Sequence, residues 1–295
     1  MSELETAYLA QTLPVNDSRE GGFVEWNNSA LSLLERCGEA FRRRYIQGEI
    51  IPPSPRMVRG TAVHRVATLG FLRKVAGEPL PSVEEAKDLA ATAFDATWNA
   101  GISLSTEEVA EGIGKVQGES KDFAVDLSGF HVERVAPGIH PIGVERKIIV
   151  KPKDSDLVIH GTLDLVAATP DGTEVIRDLK TSQKSPNKNA AEVSQQLSMY
   201  ALLRWAEVGR LPSSLVLDYL IRTPIRQEKK HILLETVRTQ ENVQTIVNRL
   251  NVAVEAVKKG IFIPASPESW WCAKEWCSYW DSCPYVSKGG RRPEL

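Results

Sequence analysis

The sequence has no apolar stretch approaching the roughly 18 residues that read as a bilayer span. Its N-terminus lacks the basic start and apolar core of a secretory signal. Neither a membrane partner nor export is expected, and the cytoplasm is the expected location. A dominant charge is also missing: 36 Lys and Arg stand against 38 Asp and Glu, a formal net charge of −2. That balance excludes a wholly basic, histone-like nucleic-acid binder but leaves room for a local basic groove. Cysteine is scarce, with only 4 in 295 residues. In a reducing compartment so few thiols read as metal ligands or inert buried groups rather than disulfides. No G-x-x-x-x-G-K-[ST] phosphate loop occurs, so any unwinding of nucleic acid has to come from a partner.

What is present is a composition of 42% hydrophobic and 25% charged residues, typical of a globular protein with a sizeable core. The most informative stretch is GTLDLVAATPDGTEVIRDLKTS, residues 161–182. Two β-branched apolar runs, 157–167 and 174–180, flank Thr-Pro-Asp-Gly, whose proline and glycine predict a tight turn. The segment therefore reads as a β-hairpin. Asp164 falls near the middle of the first strand and Asp178 near the end of the second. Because strand side chains alternate, Asp178 and Lys180 share one face and Leu179 takes the other. Two carboxylates beside a lysine make a hard-oxygen site suited to Mg²⁺ or Mn²⁺. A lone D-x-K is more often ordinary hairpin surface, so the motif needs company.

Elsewhere the periodicity predicts helices over 29–46, 57–75, 82–99, 106–126, from about 190 onward, and 240–259. Strands are expected over 143–151, 214–222 and 229–236. Residues 1–28 read as a flexible lead and 286–295 as a tail. Between them, 29–285 reads as one domain, with a helical insertion at about 80–128. Cys37 falls on the first helix, followed by Arg42, Arg43 and Arg44. On the second, Gly60 and His64 share a face, as do His64 and Thr68. Glu145, early in the first strand, is a candidate third acid or a solvated strand residue. Gln196 and Tyr200 are a spaced i, i+4 pair on one helical face. Arg42 to Arg44, Arg56, Arg59, Arg65, Lys184, Lys188, Lys288, Arg291 and Arg292 are candidates for a phosphate-tracking groove.

The last stretch, WWCAKEWCSYWDSCPY at 270–285, gathers Cys272, Cys277 and Cys283 among tryptophans and tyrosines. Three clustered thiols are one short of a four-cysteine site, and Cys37 is the remaining candidate. Tetrahedral sulfur ligation suits zinc or an iron–sulfur cluster alike.

Taken in order, Cys37, Gly60-x-x-x-His64, Gly161-Thr-Leu-Asp164, Asp178-Leu-Lys180, Gln196-x-x-x-Tyr200 and the terminal cysteines resemble the RecB-type branch of the PD-(D/E)xK nuclease superfamily. That branch includes the AddB nuclease domain, CRISPR-associated adaptation exonucleases and phage exonucleases. The resemblance implies an α/β fold, a mixed central sheet flanked by helices, with metal-stapled termini. It implies that His64, Asp164, Asp178 and the Leu179 carbonyl hold Mg²⁺ or Mn²⁺. Lys180 would help activate the attacking water, and Gln196 and Tyr200 would support the site or touch the DNA backbone. Cys37, Cys272, Cys277 and Cys283 would hold a four-iron four-sulfur (4Fe-4S) cluster, with Zn²⁺ the alternative. The spacing here is C-x₄-C-x₅-C, where the family usually has C-x₂-C-x₅-C. The implied activity is a DNA exonuclease in recombination, repair or phage DNA processing, with a helicase or recombination partner. The rival expectations are a non-catalytic DNA-binding or helicase-partner subunit on the same fold, and a zinc-stapled interaction protein.

Overall fold

The computed structural model describes residues 24–152 and 157–286. Most of the expected lead, and the tail with Lys288, Arg291 and Arg292, lie outside the described residues. The described elements begin with β1 (Glu25–Trp26), α1 (Asn28–Arg36) and α2 (Gly38–Phe41), the last running into a wide π-type turn, Arg42–Ile46. Then come α3 (Pro55–Val75), α4 (Val83–Asn99), α5 (Thr106–Glu111) and α6 (Ile113–Phe130). Strands β2 (His140–Val150), β3 (Val158–Ala168) and β4 (Glu174–Ser182) follow, then α7 (Gln195–Val208), β5 (Ser214–Arg222), β6 (Lys229–Thr236) and α8 (Gln240–Lys258).

Among the described residues six strands form one mixed sheet, ordered β1-β3-β4-β5-β6, with β2 also paired to β3. β2, β3 and β4 are antiparallel neighbours. β4 and β5 are parallel, with α7 between them as the crossover. Alternation along the strands sends apolar side chains to both faces, so the sheet is covered twice. On one face α3, α4 and α6 pack Val63, Phe94, Phe123 and Leu127 against Leu165, Leu179 and Leu220. On the other, α1, α7 and α8 pack Leu31, Leu197, Leu203 and Leu250 against Leu163, Ile176 and Leu215. Fully buried side chains of this size each stabilise by roughly 1.5–3 kcal/mol. The result is a mixed sheet flanked by helices, as expected.

Three local expectations need correction. The first helix does not run from 29 to 46. It stops at Arg36, and Cys37 is extended (φ −162°, ψ 105°) rather than helical. The chain restarts at Gly38 because Gly38 N–H donates to the Ile263 carbonyl at 2.7 Å, drawing α2 onto the segment before the terminal cysteines. The helix expected from about 190 starts only at Gln195, capped by Ser194. Residues before it form turns, with Ala190 N–H bonded to Asn187 O, and Val193 is left 70% exposed. The stretch 106–126 is two helices, split where Gly112 takes φ 103°.

Gly38 is needed for that close approach. A Cβ there would lie 2.5 Å from the Phe262 carbonyl carbon and 2.6 Å from Ile263 N, both backbone atoms that cannot swing aside. Gly38→Ala is expected to lower stability by roughly 1–3 kcal/mol. Thermal unfolding of the two proteins side by side checks this, and equal melting temperatures would sink the argument.

Candidate active site

The hairpin places its acids as alternation requires. Asp178 and Lys180 face α7, while Leu179 packs into the opposite core. Four side chains close a ring. Lys180 Nζ lies 2.6 Å from Asp178 Oδ2 and donates to Gln196 Oε1 at 2.8 Å. Gln196 Nε2 donates to Tyr200 Oη at 2.9 Å, and Tyr200 Oη donates to Asp178 Oδ1 at 3.2 Å. The i, i+4 spacing on α7 puts Gln196 and Tyr200 one turn apart, the span between Lys180 and Asp178.

Asp164 reaches the same place from β3. Its Oδ2 accepts the Leu179 N–H at 3.1 Å and lies 3.5 Å from His64 Nδ1 on α3. The Leu179 carbonyl accepts a hydrogen bond from the His64 ring, so it too points into the site. His64, Asp164, Asp178, Leu179, Lys180, Gln196 and Tyr200 are thus brought together from four elements. Asp178 is fully buried, whereas the Asp164 and His64 side chains keep 22% and 31% exposure, which opens the site to solvent on their side.

The electrostatics follow from burial of like charges. Desolvation first, and the Asp178 charge second, push Asp164 well above the usual carboxylate range. Burial, reinforced by the Lys180 charge, holds His64 down at about 4, so its ring is neutral at neutral pH. Desolvation opposes the Lys180 charge, but Asp178 outweighs it and the ammonium is held above its ordinary value. Tyr200 is raised well above 10 by burial and then by both aspartates, so its hydroxyl stays protonated as a donor.

Asp178 Oδ2 is buried and, although Lys180 Nζ is near, completes no directed hydrogen bond. A buried carboxylate oxygen with spare lone pairs beside a second carboxylate, a neutral imidazole and a carbonyl is a donor set that fits a hard divalent cation. Among the described residues no three His, Cys, Asp or Glu side chains are already drawn close enough to hold a metal ion, so the ligands would have to tighten around it.

Glu145 stands opposite Asp164 across β2 and β3, between the pairs Val144↔Leu165 and Arg146↔Leu163. It takes φ 47°, a left-handed conformation that is uncommon for a residue other than glycine. Its Oε1 accepts from Thr68 Oγ1, one turn beyond His64, at 3.0 Å. Burial of the carboxyl raises its pKa, with Thr68 opposing. Both halves of the sequence expectation hold: Glu145 is an exposed strand residue, and the cross-strand register sets it opposite Asp164.

Sequence reasoning missed what lies beneath the site. A small cavity is lined by His64, Thr68 and Asp164 together with His131, Arg177 and Asp218. Asp218 on β5 is buried and pairs with Arg177, at 2.9 Å from Nε, and with His231. Against the cost of burial, the hydrogen bond with His231 and the charge of Arg177 hold it below the usual carboxylate range. His131 is buried edge-on to Phe71, with Nε2 unpartnered. Burial pushes it down to about 4, against a nearby Asp218 charge. An unfolded His131 binds a proton below about 6.5, whereas the folded one resists it until about 4. Stability is therefore full above that window and falls as pH drops through it, by up to about 3 kcal/mol from this group. Melting curves from pH 7 to 4.5 are expected to decline less steeply for His131→Leu than for the wild type. Parallel curves would reject the assignment.

The profile of the PD-(D/E)XK nuclease superfamily matches residues 25–284. The chain belongs to that superfamily. Among solved structures, SSO0001 is 13% identical with a TM-score of 0.41, covering 95% of this chain and 94% of its own. A candidate exonuclease from Eubacterium rectale is 12% identical with a TM-score of 0.37, covering 76% and 90%. No curated protein matches the sequence. None of the helices among the described residues is long and apolar enough to cross a membrane.

The basic residues separate in this superfamily member. Arg42 and Arg43 are both tied to Glu39, and Arg43 is buried with Nη2 donating to the Ser282 carbonyl at 2.8 Å. Arg65 is buried against Thr97. Arg43 and Arg65 hold the fold together and do not line a groove, a correction to the sequence reading, while the Arg42 side chain keeps 32% exposure. Lys184 and Lys188 are exposed, in the loop after β4.

Proposed function

We propose that the protein is a metal-dependent deoxyribonuclease of the RecB-type branch, acting as an exonuclease on DNA in recombination or repair, with residues 29–285 as its single domain. One observation carries the reading: Asp164, Asp178 and the ring Asp178, Lys180, Gln196, Tyr200 converge with His64 at one strand end. A retired site has no physical need to keep two carboxylates side by side, one fully buried and the other partly so, because desolvating them is costly.

The two aspartates, His64 and the Leu179 carbonyl would hold Mg²⁺ or Mn²⁺, whose positive charge would offset that of the phosphate and lower the pKa of a coordinated water. The rest is the work of the side chains. Lys180, fixed by Asp178 and Gln196, presents an ammonium that orients the attacking water and offsets charge on the phosphate oxygens. Tyr200, kept protonated, holds the Asp178 carboxylate in one rotamer, and Gln196 keeps Lys180 from swinging away. His64, neutral, is ready as a ligand without first losing a proton.

At the chain ends, Cys37, Cys272, Cys277 and Cys283 are proposed to hold a four-iron four-sulfur cluster, with Zn²⁺ the alternative. The support is local. Burial and then the Cys37, Cys283 and Cys272 thiols raise Cys277, so the other three sulfurs lie within electrostatic reach of Cys277. Ala265 N–H donates to Cys37 Sγ at 3.3 Å, and the Tyr279 amide hydrogen-bonds Cys277. Backbone donors of this kind stabilise thiolate ligands.

The test is digestion of end-labelled single-stranded, double-stranded and closed circular DNA with Mg²⁺ or Mn²⁺, using protein purified without air. Metal-dependent loss of linear DNA with circles spared is expected. Binding without cleavage of any substrate would replace this reading by that of a helicase-partner subunit.

A further inference from the structure

The N-terminal end of α3 and the far end of β5 meet beside the candidate site, and both bring arginines. α3 is capped by Ser54, begins at Pro55 and has no acidic residue in its first turn. Arg56 is exposed and Arg59 half-buried, its guanidinium 4.2 Å over the Phe123 ring. Among the described residues neither makes an ion pair. One residue on, Gly60 faces Thr181, since a Cβ there would lie 3.2 Å from Thr181 Oγ1. This fixes the first turns of α3 against the segment that follows Lys180. In the parallel β4–β5 register Ser182 lies opposite Ile221, so Arg222 emerges just past the same edge, bonded to Asp126 at 2.6 Å.

Arg59 is pushed down to about 10, by burial first and then by the Arg56 and Arg222 charges, with the Glu108 carboxylate opposing. Arg222 is paired with Asp126, which leaves Arg56 and Arg59 as two neighbouring cations without an ion pair of their own among the described residues. Such an arrangement costs stability unless an anion occupies it. With a rise of about 1.5 Å per residue, Arg59 and Arg56 stand roughly 7 and 12 Å from His64 along the helix axis. Both lie along α3 on the Ser54 side of His64.

We propose that Arg56 and Arg59 form a phosphate subsite that grips the nucleic-acid backbone flanking the scissile bond. The proposal rests on the nuclease reading for what lies at His64, but its binding chemistry does not. Guanidinium groups take phosphate oxygens in a bidentate fork, and such contacts carry no sequence preference. The strand would therefore run along α3 from His64 toward Ser54.

The test measures binding with metal removed, so that cleavage plays no part. A short fluorescein-labelled single-stranded oligonucleotide is titrated in EDTA over a series of salt concentrations. Arg56→Gln and Arg59→Gln are each expected to weaken binding roughly ten-fold. Each is expected to reduce the slope of log K against log salt by about 0.7, equally for oligonucleotides of different sequence. Arg249→Gln, on α8 in the opposite helical layer and paired with Glu35, is expected to bind as the wild type does. Because Arg59 packs on Phe123, the exposed Arg56 variant keeps the test valid if Arg59→Gln melts early. Unchanged affinity and slope in Arg56→Gln, an equal loss in Arg249→Gln, or no binding by the wild type would each overturn the subsite. Cleavage is scored separately with Mg²⁺ or Mn²⁺. A wild type that fails to cleave, with binding still lost in the arginine variants, supports the subsite and removes the nuclease reading.

Discussion

Asp178→Ala and Lys180→Ala are expected to lose cleavage by on the order of 10³-fold or more, while keeping a folded sheet. Asp178 is fully buried and accepts from Tyr200, and its charge offsets that of Lys180. Its removal takes away a cation ligand and the partner that fixes the lysine. Asp178→Asn separates these effects, because an amide oxygen still accepts from Tyr200 but carries no charge. If charge is what the site requires, Asn is nearly as inactive as Ala. Lys180→Ala instead leaves Asp164 and Asp178 facing each other without an intervening cation, which favours uptake of the divalent ion. Titration calorimetry with Mn²⁺ should therefore show weaker binding in Asp178→Asn and retained or tighter binding in Lys180→Ala. Circular dichroism confirms the fold in each case. Substantial cleavage by either alanine variant would remove the catalytic assignment altogether.

The second large effect concerns the chain ends. Cys277→Ser is expected to lose the proposed metal and to lower the melting temperature by roughly 5–10 °C, because a structural metal contributes several kcal/mol to folding. The loss should be confined to the terminal segment and α2, which meet through Gly38 and Ile263, through Arg43 and Ser282, and through Tyr279 Oη donating to the Glu49 carbonyl at 2.7 Å. Peptide amides of the central strands should exchange as slowly as before. The wild type purified without air would be brown with an iron–sulfur cluster and colourless with zinc, and metal analysis separates the two. A wild type containing neither metal, with Cys277→Ser melting at the same temperature, would leave the cysteines as apolar filler among the tryptophans.

Much of the candidate site was legible because its spacing is local. Strand alternation alone sets Asp178 and Lys180 on one face, and helical periodicity alone pairs Gln196 with Tyr200. Neither pattern says which face of α7 meets which face of β4. The ring that joins the four side chains exists because the crossover helix packs on that side of the sheet. Likewise, Gly60-x-x-x-His64 marked a helix face, but only the docking of α3 against Thr181 gave that face its target.

The sequence by itself determined the hairpin, the order of the acids, lysine, glutamine and tyrosine, and the helix and strand content, since these depend on contacts within a few residues. The tertiary structure alone decided the rest. It turned Cys37 out of a helix, because Gly38 is small enough to let two backbones touch. It placed Glu145 opposite Asp164, because register is a property of paired strands. It assigned Arg43 and Arg65 to the interior and left Arg56 and Arg59 beside the site. A charge reads the same in the sequence wherever it lies; only packing against Glu39, Thr97 or open solvent determines whether it holds the protein together or is free to hold something else.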